Sequence, residues 1–357
     1  MKTYRLAILK NETEEDHLGW VRACGRGEYD IDFEVIDITK ENWLDRVAEP
    51  GFDCMLVQPP CSMGHFKQLV DERLYIIHSV LGRMIYPSLE ETLIYENKRM
   101  LAYWLQANRV PHPRTWIFYD KMSAENFASH CPYPLVAKTA LGASGSGVRI
   151  LRHQRQALEY INRSFSDRGI IRKWGINLRR GDLLARSFSR LKDVLGFIRY
   201  MNAKKKSARR DPQQWHVIFQ EYVPDAAEWR CVRIGDSFFG HQKLARGLGE
   251  LKSGTSRVSW DPPPIPLLNF VYRITEKRHF LSQSADIFED RNGHYLVNEL
   301  QAFWGSKNPH QMIVDGKPGR FVQKNNQWVF EEGDFNSNNS YDLRLRHVID
   351  ILREKNK

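Results

Sequence analysis

Residues 284–301 read Ser-Ala-Asp-Ile-Phe-Glu-Asp-Arg-Asn-Gly-His-Tyr-Leu-Val-Asn-Glu-Leu-Gln. The central Asn-Gly pair is a strong tight-turn signal, and strand-like residues flank it on both sides. The pattern predicts a β-hairpin with Asp286 on one strand and Glu299 on the other. Because side chains alternate along a strand, Glu299 and Gln301 should point to one face. Such a patch of oxygen ligands suits Mg²⁺, although a solvated polar hairpin would have the same sequence.

The overall composition is that of a globular protein. Of 357 residues, 42% are hydrophobic and 12% aromatic, and no apolar run is long enough to span a membrane. The N-terminus enters an apolar strand directly and lacks the long apolar region of a signal peptide. The five cysteines are dispersed, which predicts reduced thiols in a cytoplasmic protein rather than disulfides or a zinc site.

The formal net charge of +10 is concentrated in one basic segment, residues 163–210, which contains fifteen Lys or Arg and three acids. Such a block suggests an anionic partner, which could be a phosphorylated substrate, an acidic peptide or polymer, or nucleic acid. A solvated basic loop would give the same count. Nucleic acid is the least favoured of these partners, because the aromatic residues of the segment follow no stacking pattern and no nucleic-acid motif is present.

Residues 1–90 alternate strands with helices, which implies a parallel sheet of βαβ units in a Rossmann-like domain. The predicted strands are residues 4–9, 32–38, 52–57 and 84–87, and the predicted helices are residues 41–48 and 66–81. Later elements form α+β units with hairpins. They are helices at 90–107, 156–164, 267–281 and 341–354, strands at 115–119, 134–138, 147–151 and 215–222, and hairpins at 229–244 and 312–330.

A lysine at the end of a buried strand precedes a loop of small residues. Lys138 is followed by Gly142-Ala-Ser144-Gly145-Ser146-Gly147. Glycines let backbone N–H groups approach phosphate oxygens, and the lysine adds a positive charge. The loop lacks the Gly-Lys-Ser/Thr of a Walker A motif and the apolar strand of a dinucleotide fingerprint. A flexible hairpin would also have this composition.

Another strand ends in Gln220-Glu221-Tyr222-Val223, seven residues ahead of Glu228. Backbone groups at a strand end can pair with an adenine edge, and a nearby acid can bind ribose hydroxyls. Surface solvation is the alternative for both Glu221 and Glu228.

Taken in order, these features resemble the ATP-grasp superfamily of carboxylate–amine ligases, the group that includes D-alanine–D-alanine ligase and bacterial glutathione synthetase. The resemblance covers nearly the whole chain and implies an α/β ATP-grasp fold, with ATP and two Mg²⁺ ions as cofactors. It divides the chain into a Rossmann-like domain (1–90), a small ATP-binding subdomain with the glycine-rich lid and the basic insertion (91–217), and a large subdomain with the metal site (218–357).

The resemblance also implies a role for each matching residue. For ATP, the implied ligands are Lys98 and Lys138 on the phosphates, Ser144, Gly145, Ser146 and Gly147 as the lid, Glu221, Tyr222 and Val223 on adenine, and Glu228 on ribose. For Mg²⁺, they are Asp286, Glu299 and Gln301. Arg230, with Lys243 or Arg246, would stabilise the transferring phosphoryl group.

Two positions depart from the family pattern. The family usually has Asn two residues after the bridging Glu, where this chain has Gln301, so the second ion would sit differently. Several members have Arg two residues before the Asp, where this chain has Ser284, and Arg230 or Arg257 would have to substitute.

The function implied is an ATP-dependent ligase that joins a carboxylate to an amine. The carboxylate donor would be a small molecule or a peptide, and the substrates could carry further negative charge. A kinase acting on a small hydroxyl compound is the alternative within the fold, and a nucleic-acid-binding protein is the alternative without catalysis. No membrane partner is expected, and a homodimer is left open as the assembly.

Overall fold

The N-terminal part of the chain builds a parallel sheet, as predicted. The computed structural model describes residues 3–61, 63–142, 145–172, 202, 209–244, 257–305 and 308–355. The first sheet has the strand order β2-β1-β3-β4, with every pair parallel. Its strands are β1 (Tyr4–Lys10), β2 (Ile31–Asp37), β3 (Cys54–Val57) and β4 (Ile85–Tyr86). The helices between them are α1 (Leu18–Cys24), α2 (Trp43–Ala48) and α3 (Gly64–Tyr75), which continues as a π-helical turn over Ile76–Val80.

Two short helices, α4 (Leu89–Ile94) and α5 (Lys98–Ala107), occupy the region predicted as one helix over residues 90–107. That prediction was wrong at the centre, because Glu96 has a left-handed φ of 48° that interrupts the helix. The side chain of Asn97 then caps α5 by accepting the N–H of Met100 at 3.2 Å. The break makes Lys98 the first residue of a new helix.

A second sheet is small and antiparallel, with the order β5-β8-β6-β7. Its strands are β5 (Thr115–Phe118), β6 (Leu135–Lys138), β7 (Val148–Leu151) and β8 (Val217–Glu221). Helices α6 (Lys121–His130) and α7 (Gln154–Ser164) pack on it through a shared apolar cluster. The sequence did not indicate α6, whose buried face includes the small residues Ala124 and Ala128.

The third sheet is the largest and carries the hairpin quoted above. Its order is β13-β12-β9-β10-β15-β14, with β11 beside β10 and β16 beside β15. Its strands are β9 (Ala227–Ile234), β10 (Ser237–Lys243), β11 (Val258–Ser259), β12 (Ser282–Glu289), β13 (Tyr295–Gln301), β14 (Ile313–Val314), β15 (Lys317–Lys324) and β16 (Gln327–Glu332). Helix α8 (Ile265–Glu276) covers one face and ends five residues before its predicted end. The predicted hairpins at 229–244 and 312–330 are confirmed.

The C-terminal helix α9 (Tyr341–Glu354) returns to the first sheet and packs against α1, where the Trp20 and Tyr341 rings lie 5.1 Å apart. All five cysteines are free thiols, as expected. Among the helices that the model describes, none has the length and apolar character needed to cross a membrane.

Candidate active site

The β12–β13 hairpin has the predicted form. The N–H of Gly293 donates to the carbonyl of Asp290 at 3.0 Å and closes the turn. Asp286 lies directly opposite Glu299, and a bulge follows immediately after Asp286. Asp286 is only 2% exposed, which excludes a fully solvated polar face at this position.

Two cations from neighbouring strands converge on Asp286. Arg230 on β9 donates from Nε to Oδ1 at 2.9 Å and from Nη2 to Oδ2 at 3.0 Å. Lys243 on β10 donates to Oδ2 of Asp286 and, at 2.7 Å, to Oε1 of Glu228. Burial acts to raise the pKa of Asp286, but the two cations outweigh it and hold that pKa below its ordinary value. Glu228 is 3% exposed, so surface solvation is excluded for this residue as well.

The two lysines predicted to contact phosphates lie beside two adjacent residues of β13, Glu299 and Asn298. Lys98 lies with its Nζ 3.4 Å from Oε1 of Glu299 and donates to the carbonyl of Gly142 at 2.9 Å. Lys138, at the end of β6, donates to Oδ1 of Asn298 at 2.7 Å. Burial lowers the pKa of Lys138 to about 8, although Glu299 opposes this. The fold therefore brings these side chains from α5, β6 and β13 together.

The glycine-rich loop is tightly packed at its two ends. A Cβ on Gly147 would lie 1.8 Å from Oγ1 of Thr139, so only glycine fits there. Gly142 has a φ of 142° and donates its N–H to Oε2 of Glu96 at 3.1 Å. Gly145 is also left-handed, with a φ of 72°. Ser144 lies outside the described residues, as do Arg246 and most of the basic segment.

The predicted adenine segment begins at the end of β8. Glu221 ends β8, where its N–H donates to the carbonyl of Arg114 at 2.8 Å and its Oε2 accepts from the N–H of the same residue at 3.2 Å. In the β6–β8 pairing, Ile218 lies opposite Lys138, three residues before Glu221. Nothing in the structure tests the roles predicted for Glu221, Tyr222 and Val223.

Gln301, the residue that departs from the family pattern, bridges two charged groups. Its Nε2 donates to Oε2 of Glu299 at 3.1 Å, and its Oε1 accepts from Arg230 at 3.4 Å. Ser284 is fully buried two residues before Asp286. Arg230 thus places a guanidinium group on the Asp286 carboxylate from the neighbouring strand, although position 284 itself is Ser.

Comparisons with known proteins identify the architecture. No family model and no curated protein matches the sequence, but solved structures do. D-alanyl-alanine synthetase A from Vibrio cholerae has a TM-score of 0.55 at 12% identity, covering 99% of this chain and 100% of that chain. N5-carboxyaminoimidazole synthetase from Staphylococcus aureus, complexed with ADP, has a TM-score of 0.51 at 11% identity, covering 90% and 82%. The biotin carboxylase domain of Hydrogenobacter thermophilus 2-oxoglutarate carboxylase, in complex with MgADP, ADP and bicarbonate, has a TM-score of 0.52 at 12% identity, covering 87% and 66%.

The chain has the ATP-grasp fold. The predicted fold class is therefore confirmed. At 11–12% identity the likeness establishes the fold alone, and the assignment of roles to the ATP-grasp positions stays a prediction.

The oxygen atoms at the predicted metal position fit Mg²⁺ unevenly. Glu299 and Gln301 offer a carboxylate and an amide oxygen, which are the hard ligands that Mg²⁺ prefers. The ammonium group of Lys98 lies 3.4 Å from Oε1 of Glu299. Asp286 already accepts hydrogen bonds on both oxygens from Arg230 and Lys243. Within the described ranges, no cluster of three His, Cys, Asp or Glu side chains could hold a metal. Glu299 therefore fits the ion as it stands, whereas Gln301 fits only if Arg230 moves off its oxygen, and Asp286 only if Arg230 or Lys243 does.

Two residues of the site were missed from the sequence. Asn298 binds Lys138, and Glu96 accepts the N–H of Gly142. Asn298 alternates with Val297 and Glu299 on a strand, so its side chain was not expected beside the metal face. The only available signal for Glu96 was its position two residues before Lys98.

Proposed function

We propose that this chain is an ATP- and Mg²⁺-dependent ligase that joins a carboxylate to an amine and releases ADP and phosphate. The observation that carries the proposal is the meeting of Lys98, Lys138 and Glu299 at the junction of two sheets in an ATP-grasp fold. Arg230 and Lys243 continue this cluster across the large sheet through Asp286.

The chemistry explains why such a cluster is needed. A carboxylate is a poor electrophile, so ATP must first convert it to an acyl-phosphate, which the amine then attacks. Phosphoryl transfer depends on positioning and charge neutralisation more than on covalent help. Bound Mg²⁺ would supply part of that neutralisation, held by Glu299 and Gln301, with Asp286 as a third ligand and two ions in all.

The chain's own residues would divide the remaining work. Lys98 and Lys138 bind the phosphates, and residues 144–147 close over them and keep water from the acyl-phosphate. Residues 221–223 bind adenine and Glu228 binds ribose. Arg230, Lys243 and Arg246 stabilise the phosphoryl group in transfer. The ion pair between Lys98 and Glu299, at 3.4 Å, would have to open for Lys98 to bind phosphate oxygens, and the phosphate would replace Glu299 as the negative partner.

A hydroxylamine trap tests the proposal without knowledge of the natural amine. Purified protein is incubated with Mg·ATP, hydroxylamine and a panel of amino acids, peptides and sugar acids. Ligation predicts ADP, free phosphate and a hydroxamate of one carboxylate. Phosphate retained on the organic product would instead show a kinase, and no turnover with any carboxylate would contradict the proposal.

A metal-site variant and a matched control sharpen the test. Glu299→Ala should abolish Mg²⁺-dependent ADP release while leaving the fold intact. Glu332→Ala, at an exposed position on β16, should retain it. Equal activity of the two variants would mean that the metal lies elsewhere.

A further inference from the structure

A row of side chains crosses the large sheet from the metal position to a histidine. In strand register, Glu299 lies opposite Asp286, Asp286 opposite Arg230, and Arg230 opposite His241. Residues directly opposite each other point to the same face of a sheet. Neighbouring strands lie about 5 Å apart, so the backbone of His241 is roughly 10 Å from that of Asp286. His241 is therefore the next side chain after Arg230, on the side away from Glu299.

The hydrogen bonding of His241 fixes which nitrogen carries the proton. Its Nδ1 lies 3.1 Å from the carbonyl oxygen of Gln311. A carbonyl oxygen only accepts, so Nδ1 is the donor and the lone pair belongs to Nε2. In the part of the chain that the structure describes, no group is hydrogen-bonded to Nε2. The imidazole thus has a free acceptor and a fixed orientation.

Aromatic rings form a wall beside this imidazole. The Trp260 ring packs edge-on to His241 at 5.1 Å, and the His310 ring packs on Trp260 at 5.3 Å. The N–H of Ile313 donates to the carbonyl of Trp260 at 2.7 Å, which ties the wall to the loop that carries Gln311. Trp260 therefore lies beside His241, the last side chain of the row.

The charges around His241 favour a neutral ring. Burial, together with Arg230 on β9 and Lys243 on β10, lowers its pKa to about 4, while the Gln311 carbonyl and Asp286 on β12 act in the opposite direction. An anionic phosphoryl group beside Arg230 and Lys243 would offset their effect and raise that pKa. Lys243 already donates hydrogen bonds to both Glu228 and Asp286.

We infer that His241 is the base that accepts the proton of the attacking amine, and that Trp260 and His310 form the wall of the amine pocket; this rests on the proposed ligase function. The neutral amine nitrogen forms a bond to the acyl carbon, the carbon–oxygen bond to phosphate breaks, and phosphate leaves with the electron pair. One proton of the new ammonium centre moves to Nε2 of His241 and then to solvent.

The test compares two acceptors on the same acyl-phosphate. The adduct of hydroxylamine, a weak base, loses its proton readily to water, whereas that of an alkyl amine needs a base. With a carboxylate that yields hydroxamate in the trap, His241→Ala should lower amide formation from alkyl amines by about 10²-fold or more and leave hydroxamate formation unchanged. Added imidazole should restore part of the lost amide formation. His294→Ala, an exposed histidine in the hairpin turn, should change neither reaction.

The outcomes separate the two proposals. If the wild-type protein gives no hydroxamate, the ligase function fails before any variant is made. If His241→Ala loses both reactions equally, or neither, His241 is not the base.

A ¹⁵N NMR measurement on histidine-labelled wild-type protein gives an answer independent of any variant's activity. A neutral Nδ1–H tautomer at pH 6 supports the inference, and an imidazolium or an Nε2–H tautomer would overturn it.

Discussion

At the scale of single residues, Lys138 should make nucleotide binding sensitive to pH. Burial lowers the pKa of Lys138 to about 8, so the side chain is mostly protonated and positive below pH 8 and mostly neutral above it. Affinity for the ATP analogue AMPPNP should therefore weaken as the pH rises through 8, by up to about tenfold for each pH unit. Calorimetric titration between pH 7 and 9.5 measures this. Lys138→Arg stays charged and should remove the dependence, and an unchanged dependence in this variant would assign it to another group.

Asp286 should matter for stability as well as for catalysis. Asp286→Ala leaves the buried cations Arg230 and Lys243 without their shared partner, which we expect to lower the free energy of unfolding by about 3–5 kcal/mol. Urea unfolding followed by circular dichroism measures the change.

Glu299→Ala provides the comparison for Asp286→Ala, because the Glu299 side chain is 19% exposed. Its contacts, an ion pair of 3.4 Å with Lys98 and a hydrogen bond of 3.1 Å from Gln301, are longer than those between Asp286 and Arg230. Glu299→Ala should lower the free energy of unfolding by much less than Asp286→Ala. Equal losses in the two variants would contradict the difference in burial on which the prediction depends.

The residues predicted from the sequence were those with a distinctive pattern around them. Lys98 begins a helix and Lys138 ends a strand, and both reach the β12–β13 hairpin, where Asp286 and Glu299 lie opposite each other. The pairing of Arg230 with Asp286 depends on the register of two strands far apart in sequence. No local pattern encodes that register.

At the scale of elements, the break between α4 and α5 positions Lys98. Asn97→Ala removes the cap of α5 and should lower the free energy of unfolding by about 1 kcal/mol. It should also weaken AMPPNP binding, since Lys98 follows directly. Asn97→Asp keeps an oxygen acceptor for the N–H of Met100 and should be close to wild type in both measurements. A neutral effect of Asn97→Ala would show that packing alone holds α5.

Element types were predicted well where apolar periodicity was long, and poorly where local chemistry overrode it. The apolar spacing runs through Glu96, so the sequence predicted one helix where the left-handed φ of Glu96 and the cap of Asn97 make two. Helix α6 buries small alanines, which give a weak apolar signal.

At the scale of the whole molecule, the C-terminal helix joins the first sheet to the third. Arg344 on α9 is fully buried, donates to Oγ of Ser282 on β12 at 2.9 Å and lies 4.3 Å from the Phe303 ring. Arg344→Ala should lower the free energy of unfolding by about 3–5 kcal/mol, because it leaves a cavity and unpaired polar groups. Arg353→Ala, exposed on the same helix, should change it by less than about 0.5 kcal/mol in the same urea titration. Similar values for both would contradict this role of α9.

The division into domains after residues 90 and 217 stays a prediction. The contact between α9 and α1 brings the C-terminal helix against the first domain. The anionic partner suggested by residues 163–210 also stays a prediction, since most of that segment lies outside the described residues.

The most direct test of the central claim is calorimetric titration of Mg·AMPPNP into the wild-type protein and the Lys138→Ala variant. The proposed ATP site predicts saturable binding by the wild type and at least about tenfold weaker binding by the variant, because the variant lacks the charged group proposed to contact the phosphates. No binding by the wild type, or equal affinity in both proteins, would contradict it.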